Sequence, residues 1–383
     1  MARRDHVRLS DVHGLQRLAV DATLGVTDLV EALHRTVTDV PPVVGKAKGG
    51  RTTGITGFVY QSVRGVTRVV GAGADAVLRR LAAISGPQAS SPQREAIIAA
   101  LNGVLGDYLA ASRNPLAIAM AVRKDGVPVA LERDALAALF PPTARKIVVL
   151  LHGLCMNDLM WSRDGHDHGA ALARDLGYTP IHIHYNTGQP IATNGRELDA
   201  LIEALVREWP HPLDRLAIVG HSMGGLVARS ACDSAARADH AWVKQLDTLV
   251  FLGTPHKGAP LERAGAWVDY LIGVSPYTAP FARLGKLRSA GIQDLRHGLR
   301  GAMQLPPNVR TYAIAASTQR APGKPGCRVR GDGLVPVSSA LGIAMPQAQQ
   351  WVAYGTGHLD LLSSDGVYAR LRAWLTPPRG STR

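Results

Sequence analysis

The sequence predicts an α/β fold with a mostly parallel central sheet. From residue 115 onward, short continuous apolar runs alternate with amphipathic stretches, and a glycine-rich turn follows one of the runs. This alternation indicates strands that helices cover on both faces. The chain has 383 residues, of which 46% are hydrophobic, so it can bury a large core. We predict a helical N-terminal module over 1–114 and a domain over 115–383, with a helical cap inserted at about 258–305.

The N-terminal module is predicted to contain three helices. Apolar side chains recur at helical spacing over 13–38, over 55–84 and from residue 97 to residue 108. The stretches PPVVGKAKGGRTTG and SGPQASSPQ separate them and indicate loops. The apolar faces of these helices can pack on the main domain, on a partner or on a lipid surface. Packing on the main domain is the default expectation, and the module shows no catalytic pattern.

The larger domain begins with AIAMAVRKDGVPVAL, which predicts two strands joined by a Lys-Asp-Gly turn. The later predicted strands are KIVVLL, TPIHIHY, RLAIV, LDTLVFLG, RTYAIAA and QQWVAY. The helices predicted between and after them are DHGAALARDLG, NGRELDALIEALVREW with an asparagine cap, GLVARSACDSAA and a closing helix within HLDLLSSDGVYARLRAWL. In such a sheet the functional site lies at the carboxyl ends of the strands.

A serine between glycines follows the predicted strand RLAIV directly, in Gly220-His221-Ser222-Met223-Gly224. The pattern G-x-S-x-G between a strand and a helix is typical of a nucleophile held in a sharp turn. The alternative is a structural turn that happens to contain a serine. As a nucleophile, Ser222 would stand above the sheet, and the Met223 amide would point at the same spot.

A serine hydroxyl needs a base to take its proton and an acid to orient that base. His358 is the candidate base, because it lies between the last predicted strand and the last helix. His256 comes too early in the chain, and His240 and His297 fall in predicted surface helices. Asp332 of the Gly-Asp-Gly segment is the candidate acid, for which a plain turn is the alternative.

Strand KIVVLL ends in His152-Gly153-Leu154. Gly153 allows the backbone to bend close to a substrate, so the amides of Leu154 and Met223 can form an oxyanion hole. One such donor typically contributes about 3–4 kcal/mol to the transition state.

The blocks LLHGL, VGHSMGG, LGTPHKG, GDGLVP and GHLDLL resemble those of the α/β-hydrolases, and more narrowly of bacterial lipases and esterases. The resemblance covers about residues 115–375. It implies a Ser222–Asp332–His358 triad with oxyanion amides at Leu154 and Met223. Some lipases of this group bind calcium near the histidine loop, where Asp360 lies here. A second acidic ligand is not visible, so we expect neither a metal nor a cofactor, and we expect Asp360 to cap the last helix.

The predicted cap insertion concentrates aromatic side chains in a chain that is otherwise poor in them. We expect it to act as a lid over an apolar acyl pocket; a cap that serves stability alone is the alternative. The expected pocket residues are Met156, Trp161, Trp267, Tyr270 and Leu271. The predicted activity is hydrolysis of hydrophobic carboxylic esters. The alternatives are thioesterase, amidase, polyester hydrolase or acyltransferase activity, and a non-catalytic lipid-surface or scaffold protein.

The net charge of +13 is spread along the chain without a run of five like charges, which argues against a nucleic-acid partner. It leaves peripheral contact of the N-terminal helices with a lipid surface open. Three widely spaced cysteines give no disulfide framework. Since neither an apolar signal region nor a transmembrane run is visible, we expect a cytoplasmic location.

Overall fold

The computed structural model describes residues 8–38, 54–84, 90–259, 289–298, 305–321, 330–342 and 348–376. The chain divides into two compact units, one formed by Met1–Ser91 with Ala111–Leu116 and the other by Pro92–Ala110 with Ala117–Arg383. The third predicted helix therefore belongs to the larger unit, whereas the sequence grouped it with the first two. Of the predicted cap insertion, residues 260–288 and 299–304 lie outside the described residues. Trp267, Tyr270 and Leu271 are among them.

The smaller unit contains two long helices, α1 (Leu9–Thr38) and α2 (Gly54–Ile84). Their contacts pair the start of α1 with the end of α2, so the helices run antiparallel. His13 Nε2 lies 2.5 Å from Asp75 Oδ1, and Arg64 Nε donates to Asp28 Oδ1 at 2.7 Å. None of the described helices combines the length and the apolar character that a bilayer crossing requires.

The larger unit is built on an eight-stranded sheet in the order β2-β1-β4-β3-β5-β6-β7-β8. β1 pairs antiparallel with β2 and β4, and every other neighbouring pair is parallel. The strands are β1 (Ala121–Lys124), β2 (Val127–Pro128), β3 (Lys146–Leu151), β4 (Thr179–His184), β5 (Arg215–His221), β6 (Leu246–Leu252), β7 (Arg310–Ser317) and β8 (Ala348–Tyr354). The predicted strands are thus confirmed.

The described helices of the larger unit flank this sheet. They are α3 (Pro92–Ala111), α4 (Arg133–Leu139), α5 (His168–Leu176), α6 (Ile191–Glu208), α7 (Met223–Ala238), α8 (Trp242–Gln245), α9 (Ala290–His297), α10 (Val337–Ala340) and α11 (Asp365–Leu375). Short 3-10 turns span Asp158–Trp161 and Asp360–Leu362. The central strands β3, β5 and β6 carry almost only buried side chains, as expected of strands covered on both faces.

Two predicted helix caps are wrong. Ser364 caps α11 by accepting a hydrogen bond from the Val367 amide, while Asp360 begins a separate 3-10 turn and accepts from Gly357 N at 2.8 Å. Helix α6 starts three residues before the predicted asparagine cap, Asn194. The amide of Ile191 donates instead to Asp294 Oδ2 of α9 at 2.9 Å, so a distant carboxylate satisfies the first turn.

Candidate active site

The predicted elbow forms a sharp turn between β5 and α7. Strand β5 ends at His221, helix α7 starts at Met223, and Ser222 between them has φ 53° and ψ −120°. A non-glycine residue in this region of backbone space is strained, and such strain persists only where the surroundings enforce it. Here the Ser222 amide donates to the Leu252 carbonyl of the neighbouring strand β6 at 2.8 Å. The turn thus raises Ser222 at the carboxyl end of the sheet.

Close backbone approach explains the glycines around Ser222. A Cβ on Gly224 would lie closer than 3.0 Å to the carbonyl oxygen of Leu151, at the end of β3. A Cβ on Gly220 would lie 2.6 Å from Gly225 Cα. Real Cβ atoms essentially never lie this close to other atoms, so a larger residue at either position would force the neighbouring backbone to shift.

Asp332 and His358 form a buried pair. His358 Nδ1 lies 2.7 Å from Asp332 Oδ2, and their side chains are 4% and 1% exposed. Asp332 Oδ1 accepts two backbone hydrogen bonds, from Leu334 N at 2.9 Å and from Val335 N at 2.7 Å. The His358 amide donates to the Asp332 carbonyl at 3.2 Å. The carboxylate is therefore fixed by the backbone on one side and faces the imidazole on the other.

The His358 ring lies at the same end of the sheet as Ser222. A Cβ on Gly253, the residue after β6, would stand 3.2 Å from His358 Cε1, and the preceding Leu252 carbonyl holds the Ser222 amide. His221 links the two segments, because its Nε2 lies 3.1 Å from the His358 carbonyl oxygen. The Ser222 hydroxyl is buried and has no hydrogen-bond partner among the described residues. Catalytic hydrogen bonds often tighten only when substrate binds.

The loop of residues 152–158 carries the predicted oxyanion donor Leu154 and is therefore called the oxyanion loop below. It follows β3 and passes beside Ser222. A Cβ on Gly153 would stand 3.3 Å from Ser222 Cβ and 3.1 Å from Met156 Sδ. Leu154 and Met223, the two predicted oxyanion donors, are both buried. The Met223 amide is the first of α7, and the first amides of a helix have no acceptor within the helix. The helix therefore directs its positive end at Ser222.

Two of the predicted pocket residues, Met156 and Trp161, belong to the described part of the chain. Met156 lies beside Gly153 and Ser222, as its contact with the Gly153 position shows. Trp161 is 1% exposed, ends the 3-10 turn of the loop and packs in the hydrophobic core. His256 was excluded as the base because it comes too early in the chain. Its Nδ1 lies 3.2 Å from Arg229 Nη1.

Burial sets the protonation of the groups around the loop. It lowers the pKa of His152 to about 4 and holds the pKa of His221 well below its usual value. It raises the pKa of the Asp158 carboxyl to about 6, against the opposing charge of Arg123. Burial also raises the pKa of the Cys155 thiol to about 12, so this cysteine is not a reactive thiolate.

Within the described part of the chain, no three or more histidine, cysteine, aspartate or glutamate side chains are grouped so as to hold a metal ion. Asp360, the residue considered for calcium, is engaged with the Gly357 amide.

A family model described as the PGAP1-like alpha/beta domain matches residues 188–279, which include the elbow. The fold is that of an α/β-hydrolase. This confirms the resemblance to α/β-hydrolases inferred from the motifs. No curated protein gives a sequence match.

Several solved structures are similar to the chain. The mature lipase of Bacillus licheniformis has 19% identity and a TM-score of 0.45, over 62% of this chain and 95% of that one. An esterase of Pyrococcus furiosus has 16% identity and a TM-score of 0.39, over 61% and 82%. An ester hydrolase from the metagenome of Lake Arreo has 15% identity and a TM-score of 0.39, over 61% and 76%.

Sequence reasoning predicted the helix α3 but missed its contacts with the candidate site. It packs on the oxyanion loop through Gly103 and on the β4–α6 connection through Gly106. The signal was present as the small residues of AALNGVLG, but small residues on a helix do not reveal what they contact.

Proposed function

We propose that this α/β-hydrolase cleaves carboxylic esters with an apolar acyl part, using Ser222 as nucleophile, His358 as base and Asp332 as orienting acid. The observation that carries the proposal is the buried Asp332–His358 pair at the sheet end where the strained elbow presents Ser222. A structural turn requires neither a buried carboxylate–imidazole pair nor a strained serine beside it.

The reaction is a two-step acyl transfer. Ser222 Oγ attacks the ester carbonyl while His358 Nε2 takes its proton, and the Leu154 and Met223 amides hold the oxyanion. The tetrahedral intermediate collapses, and the alcohol leaves with the proton from His358. Water then attacks the acyl-enzyme with His358 as base, which releases the acid and restores the serine.

The hydrogen bonds of Asp332 support the role of the imidazole. Its ionised carboxylate can only accept hydrogen bonds, so His358 Nδ1 must be the donor at 2.7 Å. This tautomer leaves Nε2 as the basic nitrogen. An aspartate in this place also stabilises the imidazolium that forms during the attack.

The preference for an apolar acyl group rests on residue types. Met156 lies beside the elbow, and we propose that Trp267, Tyr270 and Leu271 of the cap insertion complete the pocket. Flexible or aromatic apolar side chains suit a hydrocarbon chain better than a sugar or a peptide.

The test is hydrolysis of p-nitrophenyl esters of short to long acyl chains by the wild type, Ser222→Ala and the control Ser230→Ala, a serine further along α7. We expect the Ser222 variant alone to lose several orders of magnitude in kcat. Labelling by a fluorophosphonate reports the nucleophile independently of substrate. Labelling without ester turnover would favour a thioesterase, amidase, polyester hydrolase or acyltransferase; no labelling would favour the scaffold alternative.

We also propose that the smaller unit contacts lipid surfaces. The valines of α2 include Val66, Val69 and Val70, which are 64%, 74% and 66% exposed, and the net charge of +13 suits an anionic surface. Sedimentation with anionic vesicles tests this. Val66→Asp/Val70→Asp should abolish binding, while Gln61→Asp on the same helix should not. Absence of wild-type binding, or a valine-dependent dimer in light scattering, would contradict the lipid contact.

A further inference from the structure

Helix α3 precedes the first strand of the sheet and is buried among the loops of the candidate active site. Ala99, Ala100 and Asn102 are at most 1% exposed. Half of its buried positions are alanine or glycine, which lets its backbone approach other segments closely. The loops that it meets are the oxyanion loop and the connection between β4 and α6.

The first contact joins Gly103 to Cys155 of the oxyanion loop. A Cβ on Gly103 would stand 3.1 Å from Cys155 Cα and closer than 3.0 Å to Cys155 Sγ. Cys155 directly follows Leu154 and has φ 58°, a left-handed conformation that its surroundings must enforce. The thiol therefore fills the space that the absent side chain of Gly103 leaves.

The second contact holds the same residue from the other side. Thr187 Oγ1, in the β4–α6 connection, accepts a hydrogen bond from the Cys155 amide at 3.1 Å. That connection is itself attached to α3, because Asn186 Nδ2 donates to the Gly106 carbonyl at 2.9 Å. Cys155 therefore contacts α3 on one side and the β4–α6 connection on the other, and α3 contacts that connection as well.

The third contact fixes the far end of the loop. Glu95 of α3 forms an ion pair with Arg123 at 2.7 Å, and Arg123 Nη1 lies 3.1 Å from Asp158 Oδ1. The three side chains are 7%, 5% and 1% exposed. Buried charges of this kind are costly to separate. Helix α3 therefore holds the loop at both Cys155 and Asp158, with Leu154 just before the first of these points.

We propose that α3 is the positioning element of the oxyanion hole, and that the Gly103–Cys155 contact sets the place of the Leu154 amide. The inference rests on the proposed ester hydrolysis. A donor stabilises the transition state only when it lies within hydrogen-bond distance of the developing oxyanion, and a misplacement of about 1 Å can cost roughly a hundredfold in rate. Neither Gly103 nor Cys155 takes part in the chemistry.

The test is the variant Gly103→Ala, whose new methyl group must push Cys155 away. We expect kcat to fall about tenfold to a hundredfold with KM little changed, since a displaced oxyanion donor acts on the transition state. The double variant Gly103→Ala/Cys155→Ala removes the thiol that the methyl group meets and should recover most of kcat. Gly366→Ala is the matched control, because its Cβ would make only ordinary contacts in α11.

Several results would overturn the inference. One is unchanged kcat in Gly103→Ala. Another is a loss of kcat in Gly103→Ala that is proportional to its loss of melting temperature and that Cys155→Ala does not restore in the double variant. If Gly103→Ala does not fold, Cys155→Ala is tested alone. This variant opens space at the contact and should lower kcat with little effect on melting temperature. An unchanged kcat in Cys155→Ala would also overturn the inference. Wild-type protein that neither cleaves esters nor reacts with a fluorophosphonate would refute the proposed function instead.

Discussion

Replacing Asp332 by asparagine should disable His358 without disturbing the site around it. The side chain keeps its shape, and its oxygen can still accept from the amides of Leu334 and Val335, which now lie at 2.9 and 2.7 Å. Those two donors dictate which way the new amide points. Its NH2 group must then face His358 Nδ1, at the position where Oδ2 lies 2.7 Å away.

The magnitude follows from that orientation. An NH2 group facing Nδ1 forces the imidazole proton onto Nε2, so His358 can no longer accept the Ser222 proton. Turning the amide over would leave two buried backbone donors unpaired, at about 1–3 kcal/mol each, so the wrong tautomer prevails. The corresponding substitution in serine proteases lowers kcat about 10⁴-fold, which equals about 5.5 kcal/mol in the barrier. We expect a similar loss here.

The assay compares kcat on the best p-nitrophenyl ester for the wild type, Asp332→Asn and Asp360→Asn. Asp360 is a matched control, since it lies two residues after His358 and accepts a backbone hydrogen bond that asparagine preserves. Circular dichroism should show the same fold in all three proteins. If Asp332→Asn kept more than about a tenth of the wild-type kcat, the assigned role of the 2.7 Å contact would be refuted.

Three further predictions concern stability. Burial lowers the pKa of His152 and of His168 to about 4, so the folded state binds fewer protons than the unfolded state below pH 6.5. The stability that these two neutral histidines contribute is therefore present above pH 6.5 and is lost as the pH falls towards 4. The free energy of unfolding should decrease by about 1.4 kcal/mol per pH unit for each histidine. A urea midpoint that does not change between pH 5 and about 7 would contradict this prediction. Gly224→Ala should destabilise by about 2 kcal/mol or more in urea unfolding, because its Cβ meets the Leu151 carbonyl; equal stability would count against the close approach of the elbow to β3. Ser222→Gly should be inactive yet more stable by about 1–2 kcal/mol, since it relieves the strain at φ 53°, and a lower melting temperature than wild type would argue against strain.

The local pattern predicted the strands well because each strand is a continuous apolar run between turn residues. The Lys-Asp-Gly turn gave a hairpin, and there Asp125 and Gly126 have φ of 52° and 77°, as a tight hairpin requires. The elbow could be predicted for the same reason, since both its glycines and its flanking elements are local. Helix caps failed where the partner was distant, as with Asp294 at the start of α6.

Sequence by itself determined the alternating fold, the elbow at Ser222 and the chain order of serine, aspartate and histidine. These follow from periodicity and from motifs that span a few residues. Only the tertiary structure decided that Asp332 Oδ2 lies 2.7 Å from His358 Nδ1, and that α3 belongs to the larger unit, where it contacts Cys155. The physical reason is that the type of a residue, such as glycine or aspartate, does not specify which distant residue it will contact. The partner is fixed by how the whole sheet and its connections pack.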